Sequence, residues 1–264
     1  MRWLAVILAL VVLGYVALCA LVYVKQRSLI FYPQYTQVAP RSDDLQLKRD
    51  GLVLRGRVLN PGQSRALLYF GGNAERVQDS ADELARSFPS HTIYLLAYRG
   101  YGASGGVPSQ DALFGDAVAL YDHVRQQQPD APVDVIGRSL GSGVASWVAG
   151  QRPVPHLALV TPFDSLVHVG QLHYPWLPTG WLMRECFDSA KHLATHHGDT
   201  LVLRAGRDTV VPPAATAALI ASLPADRLQV VAFAHYDHIT ISAAPDYWPA
   251  MARFMGSTVA RPAP

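Results

Sequence analysis

The chain opens on an unbroken apolar run. From Trp3 to Val24 there are 22 residues without a charge, rich in Leu, Val and Ala. As a helix rising about 1.5 Å per residue they reach roughly 33 Å, enough for a bilayer hydrocarbon core of about 30 Å. The pattern then changes. Leu52–Leu59 alternates as a half-buried strand does, and Pro61-Gly62 turns the chain after it. Short apolar runs follow at Ala66–Phe70, Ile93–Ala97, Val133–Ile136, Leu157–Val160, Leu201–Leu203 and Leu228–Phe233. Helical spacing separates them, over Ala74–Phe88, Gln110–Gln127, Leu140–Gly150, Pro213–Leu223 and Pro245–Met255. Alternation of strand and helix predicts an α/β fold with a mainly parallel sheet covered on both faces. Sites in such sheets form beyond the carboxyl ends of the strands. One segment, Thr161 to Asp199, breaks the rhythm. It is rich in aromatic residues and proline (Tyr174, Pro175, Trp176, Pro178, Trp181) and reads as an inserted cap.

This pattern divides the 264 residues into a transmembrane anchor over 1–25, a linker over 26–42, one α/β domain over 43–256 with a cap at about 161–199, and a tail over 257–264. A cleaved signal peptide is the competing reading of the N-terminus. Its apolar region is about 7–15 residues long and ends in small residues, whereas this run is longer and leads into Tyr23-Val24-Lys25. Leu18 is too bulky to precede a lipidated Cys19. The expectation is a single-pass membrane protein with lipid around the helix. Arg2 and the amino terminus face Lys25 and Arg27 in a near tie, so the charges assign no orientation. Charge otherwise changes the picture by exclusion. The net charge is only +2, and no Lys/Arg run carries interleaved aromatics, so nucleic acid is not an expected partner. Cys19 and Cys186 are the only cysteines, one of them in the apolar run, so no intrachain disulfide is expected.

Candidate chemistry gathers after four strands. Val133-Asp134-Val135-Ile136 runs into Gly137-Arg138-Ser139-Leu140-Gly141, and a helical pattern begins at once. That is the strand–turn–helix setting in which G-x-S-x-G presents a strained, exposed nucleophile at a helix N-terminus. Gly102-Ala103-Ser104-Gly105-Gly106 matches the same spacing without a following helix, so Ser104 reads as a loop serine. A nucleophilic serine needs a base and an acid to orient it, in the chain order Ser, acid, His. Asp208 follows the strand Leu201–Leu203, with Asp164 as runner-up. His238 follows the last strand, with His235 as the alternative, and the small polar Thr240 just beyond favours His238. The loop Gly71-Gly72-Asn73-Ala74-Glu75 is placed to give a second oxyanion donor, the N–H of Asn73 or Ala74, beside that of Leu140. Two other patterns are decoys. Gly100–Gly105 fits G-x-G-x-x-G with Asp122 some way on, but Gly106 and Pro108 stand where a nucleotide-binding helix must open. His192, His196 and His197 have no carboxylate or cysteine at ligand spacing, so they carry no metal reading.

These residues together resemble the membrane-anchored α/β-hydrolase-domain proteins, grouped with the serine aminopeptidase-type hydrolases, which include protein depalmitoylases and lipid hydrolases. The resemblance covers nearly the whole chain. It rests on Gln26–Pro33 after the anchor, Gly72-Asn73-Ala74, and Tyr98-Arg99-Gly100-Tyr101-Gly102 with Ser104. It continues through Gly137–Gly141, Pro162–Ser165, Tyr174–Pro178, Phe187-Asp188-Ser189 and Gly206–Pro212. It implies an α/β-hydrolase fold with Ser139, Asp208 and His238 as a catalytic triad. Gly71 stands where that family usually has His, and Ala97 where it often has Asp, which puts the rigidity of the oxyanion loop in question. The expected activity is cleavage of an acyl ester or thioester through an acyl-enzyme, without metal or organic cofactor. A peptidase, or a non-enzymatic binding protein on a hydrolase frame, are the alternatives.

Overall fold

The computed structural model describes residues 1–256, so the tail expected over 257–264 lies outside the described residues. One helix, α1 (Arg2–Ile30), precedes a single eight-stranded sheet. Its strands are β1 (Leu45–Arg49), β2 (Leu52–Leu59), β3 (Arg65–Phe70), β4 (His91–Leu96), β5 (Val133–Arg138), β6 (His156–Val160), β7 (Asp199–Ala205) and β8 (Leu228–Phe233). They lie side by side in the order β1-β2-β4-β3-β5-β6-β7-β8. The β1–β2 and β2–β4 pairs are antiparallel, and the other five are parallel. Helices α2 (Ala81–Ser87), α3 (Gln110–Gln127), α4 (Leu140–Gln151), α8 (Pro213–Ser222) and α9 (Tyr247–Phe254) flank the sheet. Three short helices, α5 (Leu166–His173), α6 (Thr179–Leu182) and α7 (Ser189–Leu193), fill the stretch between β6 and β7 that interrupts the sequence pattern.

The strand patterns follow from what each strand touches. In β3, Ala66 to Phe70 are all buried, as are Leu157 to Val160 in β6, because parallel strands are covered on both faces. Each large apolar side chain removed from water in this way contributes about 1.5–3 kcal/mol. At the antiparallel edge, β1 shows only alternate partial burial, and its five residues gave too little pattern to predict a strand. α2 begins later than expected, at Ala81, after a 3₁₀ turn at Val77–Ser80. Residues 72–76 instead form a loop in which Ala74 has φ +59°.

The N-terminal helix runs five residues past Lys25, and the chain after it is bound to the domain. Gln26 is buried, donating to the Tyr23 and Leu182 carbonyls at 2.8 and 3.2 Å and accepting the Arg184 N–H at 2.7 Å. Phe31 is buried edge-on against Phe187, with ring centroids 6.2 Å apart.

A charged cluster closes the opposite end of the sheet from the loops that follow the strands. Asp134, near the start of β5, is fully buried. It receives Arg65 at 2.6 and 3.0 Å, His91 at 3.0 Å and His156 at 2.9 Å. Burial pushes its carboxyl upward, but hydrogen bonds from His156, His91 and Arg65 outweigh that and hold it at about 2.

Candidate active site

β5 delivers Ser139 to the top of the sheet. Its φ of +52° is a left-handed conformation unusual for a residue with a side chain, and strain of this kind costs about 1–3 kcal/mol. The surroundings hold it there. The Ser139 N–H donates to Val160 O at 2.9 Å, and its carbonyl accepts the Ser142 N–H at 2.8 Å. Glycine is required on both sides of the turn. A Cβ at Gly137 collides with the Gly141 carbonyl, and one at Gly141 collides with the Phe70 carbonyl. The hydroxyl of Ser139 therefore stands at the N-terminus of α4, half-exposed, where the first amides of the helix are free.

Loops from two more strands meet it. Past β7, Asp208 is buried, and its Oδ1 accepts the Val210 and Val211 N–H groups at 2.9 and 2.8 Å. Its Oδ2 lies 2.8 Å from His238 Nδ1, and His238 Nε2 lies 2.8 Å from Ser139 Oγ. A carboxylate only accepts, so Nδ1 carries a proton toward Asp208 and Nε2 is left to accept the serine hydroxyl. The structure brings Ser139, Asp208 and His238 into one hydrogen-bonded line. Asp164 is elsewhere, paired with His168 at 2.9 Å. His235 is exposed. Thr240, read from the sequence as a companion of His238, instead binds Asp237, whose Oδ1 accepts the Ile239 N–H and both the N–H and hydroxyl of Thr240. Those bonds hold the Asp237 carboxyl below its ordinary range and shape the turn that carries His238. Ser104 is buried, donating to Ala97 O and accepting the Arg55 N–H, both at 2.8 Å, so it ties the loop after β4 to β2.

The loop after β3 is fastened from every side. Glu75 accepts from the Gly72 N–H at 2.7 Å, the Tyr69 hydroxyl at 2.6 Å and Ser80 at 3.0 Å. The Tyr98 hydroxyl donates to Gly71 O at 2.9 Å. These bonds supply rigidity where the resembled family has His in place of Gly71. The Asn73 side chain donates to the Ile30 carbonyl. Its Oδ1 accepts the Tyr101 hydroxyl at 2.7 Å and the Tyr32 and Ala74 N–H groups at 3.1 Å. Sequence reading missed Glu75 and Tyr101 in these roles. The signal was present in the Gly100-Tyr101-Gly102 pattern, which was read as a nucleotide-loop decoy and as part of the family resemblance, not as a support of the loop. Among the described residues no three His, Cys, Asp or Glu side chains gather as a metal site, and His192 packs edge-on against Phe114 and Trp147.

A mainly parallel sheet with a strained serine at the end of a central strand, met by Asp and His from later strands, defines the α/β-hydrolase class. Comparison with known proteins agrees. The family model for serine aminopeptidase S33 matches residues 69–166, which include the Ser139 turn. An uncharacterized protein of Mycobacterium tuberculosis is 33% identical over 241 residues, covering 84% of this chain and 86% of the relative. The lysophosphatidylserine lipase ABHD12 of Danio rerio is 30% identical over 167 residues, and the match spans 44% of that lipase. Among solved structures, an esterase of Pyrococcus furiosus superposes with a TM-score of 0.67 at 15% identity, over 86% of this chain and 97% of the esterase. The chain belongs to the α/β-hydrolase family.

Proposed function

We propose that the protein is a membrane-tethered serine hydrolase that cleaves acyl ester or thioester bonds. The observation that carries this reading is the unbroken line Asp208–His238–Ser139, with 2.8 Å at each link. His238, oriented by Asp208, takes the Ser139 proton as Oγ attacks the acyl carbon. The carbonyl oxygen becomes an oxyanion facing the Leu140 and Asn73 N–H groups. His238 then passes its proton to the departing alcohol or thiol, and water resolves the acyl-enzyme by the same steps in reverse. Asn73 is favoured over Ala74 as second donor because the Ala74 N–H is already directed at Asn73 Oδ1. Each such donor is worth about 3–4 kcal/mol in the transition state.

An apolar acyl group on a lipid or lipidated substrate fits the neighbourhood. The aromatic segment between β6 and β7 begins beside the site, where His173 lies within 3.0 Å of the Val210 carbonyl on the Asp208 loop. One relative is named a lysophosphatidylserine lipase, which supports a lipid ester over a peptide bond. A fluorophosphonate probe followed by an acyl-length series of esters and thioesters tests the reading. Wild type should be labelled and Ser139→Ala should not; equal labelling of both proteins would remove Ser139 from its role.

A further inference from the structure

The segment over α5 and α6 lies alongside α1. The Tyr15 hydroxyl donates to the Trp176 carbonyl at 2.8 Å, Gln26 bridges Leu182 and Arg184, and the Arg184 guanidinium sits 4.5 Å over the Tyr23 ring. Tyr15 is ten positions before Lys25, about 15 Å down the helix axis. That is half the depth of a hydrocarbon core of about 30 Å. The portion of α1 from Trp3 to Tyr15 reaches only about 18 Å, too short to cross a bilayer by itself. If the apolar run spans, residues around Trp176 are carried below the lipid surface with it. The helix has no charge between Trp3 and Val24 and so lacks the charged face with which an amphipathic helix lies flat on a membrane.

The segment is built for that position. From Ser165 to Met183 it contains no Asp, Glu, Lys or Arg. Its first charges, Arg184 and Glu185, meet α1 at the level of its own first charges, since Glu185 pairs with Arg27 at 2.7 Å. The two elements therefore change from apolar to charged at one height. Trp181 is 92% exposed, Trp176 and Tyr174 are more than half exposed, and Leu172 beside them is 38% exposed. In water these rings are an uncovered apolar surface, whereas Trp and Tyr favour the boundary of a bilayer. Backbone left unbonded is costly in lipid, and here it is largely bonded. The N–H groups of Tyr174, Leu177, Thr179, Trp181, Leu182 and Met183 all donate to nearby carbonyls. The Pro175 carbonyl is taken by Gln171 and the Trp176 carbonyl by Tyr15.

We propose that this aromatic edge is a second membrane contact, sunk into the same leaflet from which α1 emerges, and that its partner is the lipid bilayer itself. The inference rests on the reading of α1 as a membrane span. It seats α5, whose His173 meets the Asp208 loop at the Val210 carbonyl, against the lipid surface from which an acylated substrate enters.

The test uses full-length protein in phosphatidylcholine nanodiscs made with or without bromine on the acyl chains, since bromine quenches only nearby tryptophan. In Trp3→Phe two of the four remaining tryptophans lie on the proposed edge, so bromination should remove about half of the emission. In Trp176→Phe/Trp181→Phe the quenching that remains belongs to Trp3 and reports the span alone. Bromolipid quenching in Trp3→Phe that disappears when Trp176 and Trp181 are also replaced establishes the contact. Quenching of Trp3 without quenching in Trp3→Phe overturns the contact and leaves the span. No quenching in either variant overturns both. Edge tryptophans shielded from bromolipid and from aqueous acrylamide alike are covered by protein, a second copy of the chain for example, and that too overturns the proposal.

Discussion

The two ends of β5 carry the same pair of residue types in opposite states. At its start, Asp134 is fully buried and receives three side chains, those of Arg65, His91 and His156. Just past its end, the Ser139 hydroxyl donates to His238, which Asp208 holds in turn, and this line stops on a residue that is partly exposed. A carboxylate saturated by three donor side chains has nothing left to offer a substrate. A chain of hydrogen bonds with one open end, beside free helix amides and on strained backbone, can pass a proton to whatever arrives. The contrast is one of completion. Chemistry needs an unfinished network held rigidly, whereas stability needs a finished one.

Removing one member from each end should separate the two roles. On the proposed mechanism Ser139→Ala is expected to lower kcat by about a million-fold, since the members of such a triad act as a unit. It should leave the melting temperature unchanged or raised, because the hydroxyl contributes no packing. His238→Ala should cost several powers of ten in kcat, while His235→Ala keeps most turnover because that side chain is exposed. Steady-state kinetics beside thermal melts decide the matter. If His235→Ala is the inactive one, the base is misassigned.

The opposite end should respond in the opposite observable. Asp134→Asn leaves Arg65 and two histidines around a neutral amide, and breaking such a buried arrangement typically costs about 3–5 kcal/mol. Molecules that remain folded should keep a wild-type kcat. The pH dependence follows from the carboxyl value of about 2, below the ordinary 3.8. A depressed carboxyl stabilises the fold fully above its unfolded value and loses that contribution as pH falls through the folded one. Wild type should therefore lose about 2 kcal/mol between roughly pH 4 and pH 2 that Asp134→Asn has already lost. Denaturant melts across that window measure it, and parallel curves for the two proteins would break the comparison.

How much of this was readable in the sequence differs between the same two ends. The Ser139 turn announces itself because G-x-S-x-G is local: the backbone that strains the serine and the glycines that permit it are five consecutive residues. The alternation of strand and helix likewise gave the sheet and its parallel core, with β2, α3 and β8 at their expected bounds. The Asp134 cluster was invisible, because Arg65, His91, Asp134 and His156 come from four strands and share no spacing. The start of α2 was lost for a related reason. Helical spacing from Ala74 onward is real, but Glu75 and Asn73 are engaged in holding the loop, and that depends on Tyr69, Tyr98, Tyr101 and the end of α1. Long-range side-chain bonds overrode local pattern. They also bind Gln26, Tyr32 and Thr36, inside the segment 26–42 read as a linker, to the domain.

The smallest expected effect probes that loop. Tyr101 donates its hydroxyl to Asn73 Oδ1 at 2.7 Å and accepts the Tyr32 N–H at 3.0 Å, so Tyr101→Phe removes two bonds and no ring. Asn73 keeps its bonds to Tyr32, Ala74 and Ile30, and the loss in stability should be about 1 kcal/mol. Tyr121→Phe is the matched control. It deletes one hydroxyl bond, to Pro153 O at 2.7 Å, on the side of the molecule where β5 begins. Both variants should melt slightly early. Only Tyr101→Phe should lower kcat, by roughly two- to ten-fold with KM little changed, because in the proposed mechanism the Asn73 N–H acts once the oxyanion has formed and not before. If the two variants share the same kcat, the loop stays rigid without Tyr101. The chain leaving α1 would then hold Asn73 without its help. If KM rises while kcat holds, the loop binds substrate in its ground state, and the second oxyanion donor must be sought elsewhere.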